Sequence, residues 1–133
     1  MKKSLRRGTY SALNIYVRGF VLAAPTPNRR VLGQCPFPLD PSRVPPNSNN
    51  FFNDGCMLLH SAVSGTRKTT THEVGHWFGL MHTFQGGCTG AGDEVDDTPA
   101  EATFSDTCDL QRDSCPGQPG LDPVQNFMDY SPE

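Results

Sequence analysis

Long apolar segments are missing from this chain. It has no run of about twenty apolar residues, so the sequence offers no candidate for a membrane-spanning helix. Hydrophobic residues make up only 35% of its 133 residues, whereas glycine (13) and proline (12) are frequent. The length suits one core, and we predict a single domain over residues 1–133. Because loops should be many and the core modest, such a fold usually needs metal ions or disulfides for stability.

A strong excess of charge is absent as well. The net charge is −3, from 11 basic and 14 acidic residues, and no basic face indicates a nucleic-acid partner. The first seven residues, MKKSLRR, look like the basic start of a signal peptide. Asn14 and Arg18 interrupt the apolar stretch that would have to follow. The targeting segment of a secreted protein is therefore expected to lie outside this sequence.

Cys-x-x-Cys pairs are also missing, which argues against a zinc site built from thiolates. The five cysteines are instead spread along the chain, at positions 35, 56, 88, 108 and 115. Dispersed cysteines in a chain rich in glycine and proline favour disulfides and an oxidising compartment. Buried free thiols in a cytosolic protein are the alternative. The odd count leaves one thiol unpaired, or bonded to a residue that this chain lacks.

Hydrophobic patterning predicts two strands with irregular segments around them. Residues 10–23 are rich in β-branched and aromatic side chains, and residues 55–63 form a second apolar run. Seven prolines between 25 and 50 predict an irregular loop. Glycine, aspartate, threonine and proline dominate residues 83–126, a stretch too long for a plain connector in a compact domain. That stretch should be either disordered or held by metal ions and disulfides.

Histidine is rare, and three of the four histidines fall in one short run, THEVGHWFGLMH. A helix is predicted from about Arg67 to Phe78, with Thr66 as its N-cap. Within this helix, His72 and His76 are four residues apart, so they project from one face and can bind the same metal ion. The spacing therefore indicates a metal site on a helix.

A third histidine can complete this site only if the helix stops. His82 lies six residues after His76, which is out of phase for a continuous helix. Gly79 lies between them and can adopt a left-handed conformation without a Cβ clash. We therefore predict that the helix ends at Gly79 and that His82 returns to the metal. The fourth histidine, His60, falls on a predicted strand and is assigned no role.

Three imidazoles around one ion are typical of catalytic zinc, because three protein ligands leave a fourth coordination position for water. Zinc makes such a water acidic, and Glu73, between the first two histidines, is placed to act as its general base. The expected reaction is peptide-bond hydrolysis without a covalent intermediate. The alternatives are a structural zinc site, an amphipathic helix with chance histidines, and a disulfide-rich structural or adhesive domain.

Residues 72–82 match the extended motif His-Glu-x-x-His-x-x-Gly-x-x-His of the metzincin clan, and the segment NFMDY (126–130) resembles the methionine turn of that clan. Together they resemble the pappalysin family, in particular its secreted fungal and bacterial members. Further matching pieces are LNIY (13–16), HTFQGGC (82–88), DDTP (96–99) and RDSCP (112–116). The resemblance implies an α+β catalytic domain. It would contain a small twisted mixed sheet, an active-site helix and an irregular lower half ending at the methionine turn.

The resemblance also implies roles for two residues of that turn. Met128 would form an apolar floor beneath the zinc without binding it, which is physically close to the role of an ordinary core methionine. Tyr130 would lie near the metal and stabilise the tetrahedral intermediate with its hydroxyl. A purely packing role is the alternative for Tyr130.

An acidic loop follows the zinc motif, with four carboxylates in residues 93–97. Oxygen ligands at this density suit calcium, and similar enzymes use calcium to order this loop. The candidate calcium ligands are Asp93, Asp96, Asp97 and Thr98. A solvated acidic loop is the alternative.

The family pattern also implies two disulfides. Cys88 and Cys115 bracket the acidic loop, and they form one expected pair. Cys35 and Cys56 flank the proline-rich loop and form the other. Family members often have a further cysteine after the Asp-Tyr-Ser segment, and its absence here leaves Cys108 as the odd thiol.

Family members continue beyond the methionine turn with a C-terminal helix, and they have upstream targeting and pro-segments. This sequence is therefore expected to be a partial catalytic domain. We predict a secreted, monomeric zinc endopeptidase that acts on protein or peptide substrates, with Zn²⁺ as cofactor and Ca²⁺ as a second ion. A catalytically impaired, zinc-binding remnant of such a protease is the alternative.

Overall fold

A three-stranded sheet and the histidine-bearing helix lie in the first of two compact units. The computed structural model describes residues 1–19, 31–63 and 68–132. The two units are Met1–Gly79 and Leu80–Glu133, and all helices and strands found among the described residues belong to the first.

The strands are short and lie in the order β1-β3-β2, where β1 is Ile15–Arg18, β2 is Gly33–Gln34 and β3 is Cys56–Leu59. β1 runs parallel to β3, whereas β2 runs antiparallel to it, with Gly33 opposite Leu58. The central strand is almost entirely buried, because it has neighbours on both sides. The small mixed sheet implied by the family resemblance is therefore confirmed, with β2 as an edge strand.

The helical segments of the first unit are short. In its described part they are α1 (Lys2–Leu5), a 3₁₀ turn (Pro41–Arg43), α2 (Asn49–Asn53), α3 (His60–Val63) and α4 (Thr69–Trp77). The hydroxyl of Ser48 caps α2 by accepting a hydrogen bond from the Phe51 N–H at 3.2 Å. No helix in the described ranges is long and apolar enough to cross a membrane.

The boundaries of both predicted strands need correction. The first was expected over 10–23; of the described residues 10–19 in this range, only β1 forms a strand, and residues 20–23 lie outside the described part of the chain. The second was expected over 55–63 and ends at Leu59, because His60 begins α3. The end of that apolar run lies on α3, where Ala62 is fully buried and forms part of the core. The placement of His60 on a strand was therefore wrong.

The prediction of an irregular loop over residues 25–50 was also wrong in part. Residues 33–34 form β2, and α2 begins at Asn49. β2 exists only because its backbone pairs with β3, which follows more than twenty residues later in the chain. Residues 25–30 lie outside the described ranges.

A buried ion pair ties the N-terminal segment into the first unit. Arg6 Nη1 lies 2.8 Å from Asp54 Oδ2, and both side chains are almost fully buried. The same carboxylate accepts a hydrogen bond from Trp77 Nε1 at 2.8 Å, and the Arg6 guanidinium lies 4.5 Å from the centre of the Phe51 ring. The basic segment that looks like a signal-peptide start is thus part of the folded unit.

The second unit is built from turns over its described residues and is held together by buried polar groups. Glu101 is fully buried, and Arg112 Nη1 lies 2.6 Å from both Glu101 Oε1 and Asp122 Oδ2. Asp122 Oδ1 accepts hydrogen bonds from the N–H and the hydroxyl of Ser114, at 3.0 and 2.9 Å. These bonds, with a disulfide, give residues 83–126 a defined path without helices or strands.

Candidate metal centre

The helix α4 brings His72, Glu73 and His76 together, and each of the three is only 8% exposed. Its last backbone bonds run from the Phe78 N–H to earlier carbonyls and from the Gly79 N–H to the His76 carbonyl at 2.9 Å. Gly79 has a φ of 96°, the left-handed conformation that the turn after the helix requires. The Thr66 N-cap of the predicted helix lies outside the described residues.

The three histidines of the motif are close enough to share one ion. Among the described His, Cys, Asp and Glu side chains, the only such group of three or more is His72, His76 and His82, with their ligand atoms all within 4.8 Å of one another. Nitrogens bound to one tetrahedral zinc lie about 3.4 Å apart, given zinc–nitrogen bonds of about 2.0–2.1 Å. Small side-chain movements would therefore suffice, and an all-imidazole donor set suits zinc.

Aromatic packing restrains the imidazole of His76. The rings of His72 and His76 lie 4.8 Å apart at 89° to each other, and the Phe37 ring meets His76 edge-on at 5.3 Å. Such contacts limit the rotamers that the His76 ring can adopt.

The carboxyl group of Glu73 is largely shielded from solvent. Burial raises its pKa to about 7, and the hydrogen bond that it accepts from the backbone N–H of Cys35 acts in the opposite direction. A carboxyl with a pKa near 7 can take up and release a proton at neutral pH.

His82 lies against the methionine turn within the second unit. Its ring stacks on Phe84 at 4.7 Å and meets the Tyr130 ring at 4.8 Å with an angle of 69°. The Thr83 N–H donates to the Met128 carbonyl at 3.3 Å. The structure thus places the Tyr130 ring beside His82 and the Met128 backbone against the next residue, Thr83, with Met128 buried and Tyr130 41% exposed.

The sequence analysis did not identify Glu101, a buried residue that binds Thr83, the residue after His82. The hydroxyl of Thr83 donates a hydrogen bond to Glu101 Oε2 at 2.7 Å, and Glu101 in turn meets Arg112. Burial raises the pKa of Glu101. The negative charges of Asp129 and Asp122 raise this pKa further, whereas the Thr83 hydrogen bond and the Arg112 charge lower it. Nothing local in the sequence marks this contact, because its partners are many residues apart.

The acidic loop gains no support as a calcium site. Asp93 is buried and uses Oδ1 to accept a hydrogen bond from the Val95 N–H at 3.1 Å, whereas Asp96 and Asp97 are exposed. Thr98 is partly exposed, and its N–H donates to the Val95 carbonyl at 3.0 Å. Calcium binding by this loop stays a prediction.

Both expected disulfides are confirmed. Cys35 is bonded to Cys56, and Cys88 is bonded to Cys115. The remaining cysteine, Cys108, is an exposed free thiol, as its lack of a partner in this sequence predicts.

The fold is similar to that of solved mirolysin structures. Mature Tannerella forsythia mirolysin in complex with a cleaved peptide gives a TM-score of 0.66 at 26% identity, covering 92% of this chain and 46% of that chain. Mirolysin in complex with a small compound gives the same TM-score at 28% identity and the same coverage. Mirolysin is a metzincin, so the fold and the histidine motif are those of the metzincin class of metalloproteases.

Within that class, the chain belongs to the peptidase M43 family, that of pregnancy-associated plasma protein-A, which it matches over residues 13–133. The extracellular metalloproteases of Colletotrichum graminicola and Neurospora crassa are each 50% identical to it over an alignment of 138 residues, which covers 98% of this chain. The chain spans 46% and 45% of the lengths of these two relatives. The predicted membership of the pappalysin family is confirmed.

Proposed function

We propose that this protein is a secreted zinc endopeptidase that hydrolyses peptide bonds in protein or peptide substrates. The observation that carries the proposal is the cluster of His72, His76 and His82, which can share one ion, together with the buried carboxyl of Glu73 on the same helix. Secretion is supported by the names of the fungal relatives, which are extracellular metalloproteases.

The three imidazoles would hold the ion and leave one coordination position open. A zinc ion there supplies Lewis acidity toward the scissile carbonyl and the attacking water. Glu73 takes the proton of that water on a carboxylate oxygen and later delivers it to the leaving amine nitrogen. Burial raises the pKa of Glu73 to about 7 in the zinc-free protein, and the positive charge of a bound zinc ion would lower it and favour the carboxylate that acts as base.

Two residues of the methionine turn complete the proposal. Tyr130 would stabilise the developing oxyanion with its hydroxyl, and its ring position beside His82 supports this role. Met128 would supply an apolar floor, which its burial supports. The edge-on contact between Tyr130 and His82 is equally suited to simple packing, so the hydroxyl must be tested separately from the ring.

The first test is Glu73→Gln, which keeps the shape of the side chain but removes its basicity. We expect casein cleavage to fall by about 10²–10⁴-fold, the usual contribution of a general base. Zinc measured by atomic absorption should stay at one ion per chain, because the three ligands are untouched. Asp106→Asn, at an exposed acidic residue, is the matched control and should keep full activity.

The outcomes separate the proposals for this site. Unchanged cleavage by Glu73→Gln would contradict the role of Glu73 as base. Stoichiometric zinc without any cleavage by the unmutated chain would instead indicate the impaired, zinc-binding remnant. Absence of bound zinc would contradict both.

A further inference from the structure

The side chain of Glu73 packs against the edge strand β2 at unusually short range. A Cβ atom built on Gly33 would lie 2.5 Å from Glu73 Cγ and 2.8 Å from both Glu73 Cδ and Glu73 Oε1. Real Cβ contacts are essentially never shorter than 3.0 Å. These three atoms are the nearest neighbours of that missing Cβ, so the space that a side chain at position 33 needs is filled by Glu73.

The backbone conformation at position 33 does not require a glycine. Gly33 is not among the glycines with positive φ, and it lies in a regular antiparallel pair with Leu58. An alanine could adopt this conformation without strain. The lack of a side chain at Gly33 therefore matters because it leaves space for the side chain of Glu73.

The strand that leaves this room is itself held in place. Leu58 of β3 pairs with Gly33, and two residues further on the Cys35 N–H donates a hydrogen bond to the Glu73 carboxylate. The disulfide then links Cys35 to Cys56 at the start of β3, and Cys56 Sγ lies 3.7 Å from the Glu73 carbonyl oxygen. Backbone pairing and a covalent bond thus fix the segment that contacts the carboxyl group.

We propose that Gly33–Cys35 forms a cradle for the carboxyl group of Glu73, and that Gly33 is a positioning residue which acts by leaving space for it. The cradle sets the direction in which the carboxyl group points. Its catalytic consequence rests on the proposed function, whereas the packing relation between the two residues does not.

A double-mutant cycle in the zinc-free protein tests the packing relation. We expect Gly33→Ala to raise the equilibrium constant for unfolding several-fold, because the buried Glu73 side chain must shift to admit the new methyl group. In a Glu73→Ala background the same substitution should leave that constant unchanged or lower it by about two- to fivefold, the usual effect of Gly→Ala at a compatible backbone position. The same change in both backgrounds, including no change in either, would overturn the proposal. Gly117→Ala, where an added Cβ meets nothing within 4 Å, is the matched control and should not depend on Glu73.

Kinetics test the consequence. With zinc bound, Gly33→Ala should lower kcat by about a hundredfold, the usual effect of a misplacement of about 1 Å, while KM and zinc affinity stay the same. A loss of zinc affinity equal to the loss of kcat would show a general structural defect and overturn the positioning role. The two proposals can fail separately. If the effect of Gly33→Ala on unfolding depends on Glu73 but the unmutated chain cleaves no substrate, the proposed function is contradicted and the packing relation still holds.

Discussion

At the scale of single residues, two buried carboxyl groups differ in what they touch. Among the described residues, the Glu73 carboxyl accepts a hydrogen bond from the backbone N–H of Cys35, whereas Glu101 bonds to Thr83 and Arg112. A lightly bonded carboxyl group can exchange its proton, and a heavily bonded one holds neighbouring segments in place. The first therefore suits catalysis and the second suits support of the chain around His82.

The raised pKa of Glu73 makes the stability of the zinc-free protein depend on pH. Between pH 4.5 and about 7 the folded protein retains a proton on Glu73 that the unfolded chain has released. A rise in pH across this window therefore favours unfolding, by up to about 3 kcal/mol at 1.36 kcal/mol per pKa unit. Urea unfolding at about pH 4.5 and about pH 7.5 measures the effect. Glu73→Gln should remove this component, and an identical pH dependence in both proteins would contradict it.

Thr83 provides the second prediction at this scale. Thr83→Val keeps the shape of the side chain but leaves Glu101 Oε2 buried without its hydroxyl donor. We expect a loss of about 1–3 kcal/mol in the free energy of unfolding. Zinc affinity, measured by competition with a chelator, should fall as well, because Thr83 adjoins His82. Thr83→Ser keeps the hydroxyl and is the control; equal losses in the two variants would show that this bond is unimportant.

At the scale of elements, the C-terminal end of α4 is fixed by the loop before β3. Trp77, the last residue of the helix, donates to Asp54, and Asp54 also meets the buried guanidinium of Arg6. His76 directly precedes Trp77 in the helix, so one carboxylate connects the N-terminal segment to the helical turn that carries His76.

We expect Asp54→Ala to lower the free energy of unfolding by about 3 kcal/mol or more, because it leaves the Arg6 charge buried without its partner. The control is Arg43→Ala, which breaks an exposed pair at 3.7 Å to Asp40 whose members are 84% and 55% exposed. That change should have little effect, since exposed ion pairs contribute little. Urea denaturation compares the two variants, and similar midpoints would refute the distinction.

At the scale of the whole molecule, each unit contains its own covalent cross-link. Cys35–Cys56 lies in the first unit and Cys88–Cys115 in the second. The second unit depends more on its bond, because it has turns and buried polar groups in place of helices and strands over its described residues. The single domain over residues 1–133 stays a prediction.

Removal of Cys88–Cys115 by the double change Cys88→Ser and Cys115→Ser should cost about 3 kcal/mol, since the bond closes a long loop, with a sequence separation of 27. Thermal unfolding without reductant measures the loss. Cys108→Ser, at the exposed free thiol, is the control and should have the same melting temperature as the unmutated protein. Equal melting temperatures for all three proteins would show that the bond does not stabilise the second unit.

The sequence by itself determined the class of protein and the spacing of the metal motif. The side chains of His72 and His76 meet because helical periodicity is a local property, and the turn at Gly79 follows from local backbone sterics. The two disulfides came from the family pattern, since spacing alone does not decide which cysteines pair.

Only the tertiary structure decided what surrounds these groups. The two-residue strand β2, the room that Gly33 leaves for Glu73 and the bond from Thr83 to Glu101 all join segments far apart in sequence. Such contacts have no periodic signal, because burial and pairing depend on which distant backbone arrives beside them. The motif therefore determined which side chains can bind zinc, and the fold determined how they and the nearby carboxyl group are held.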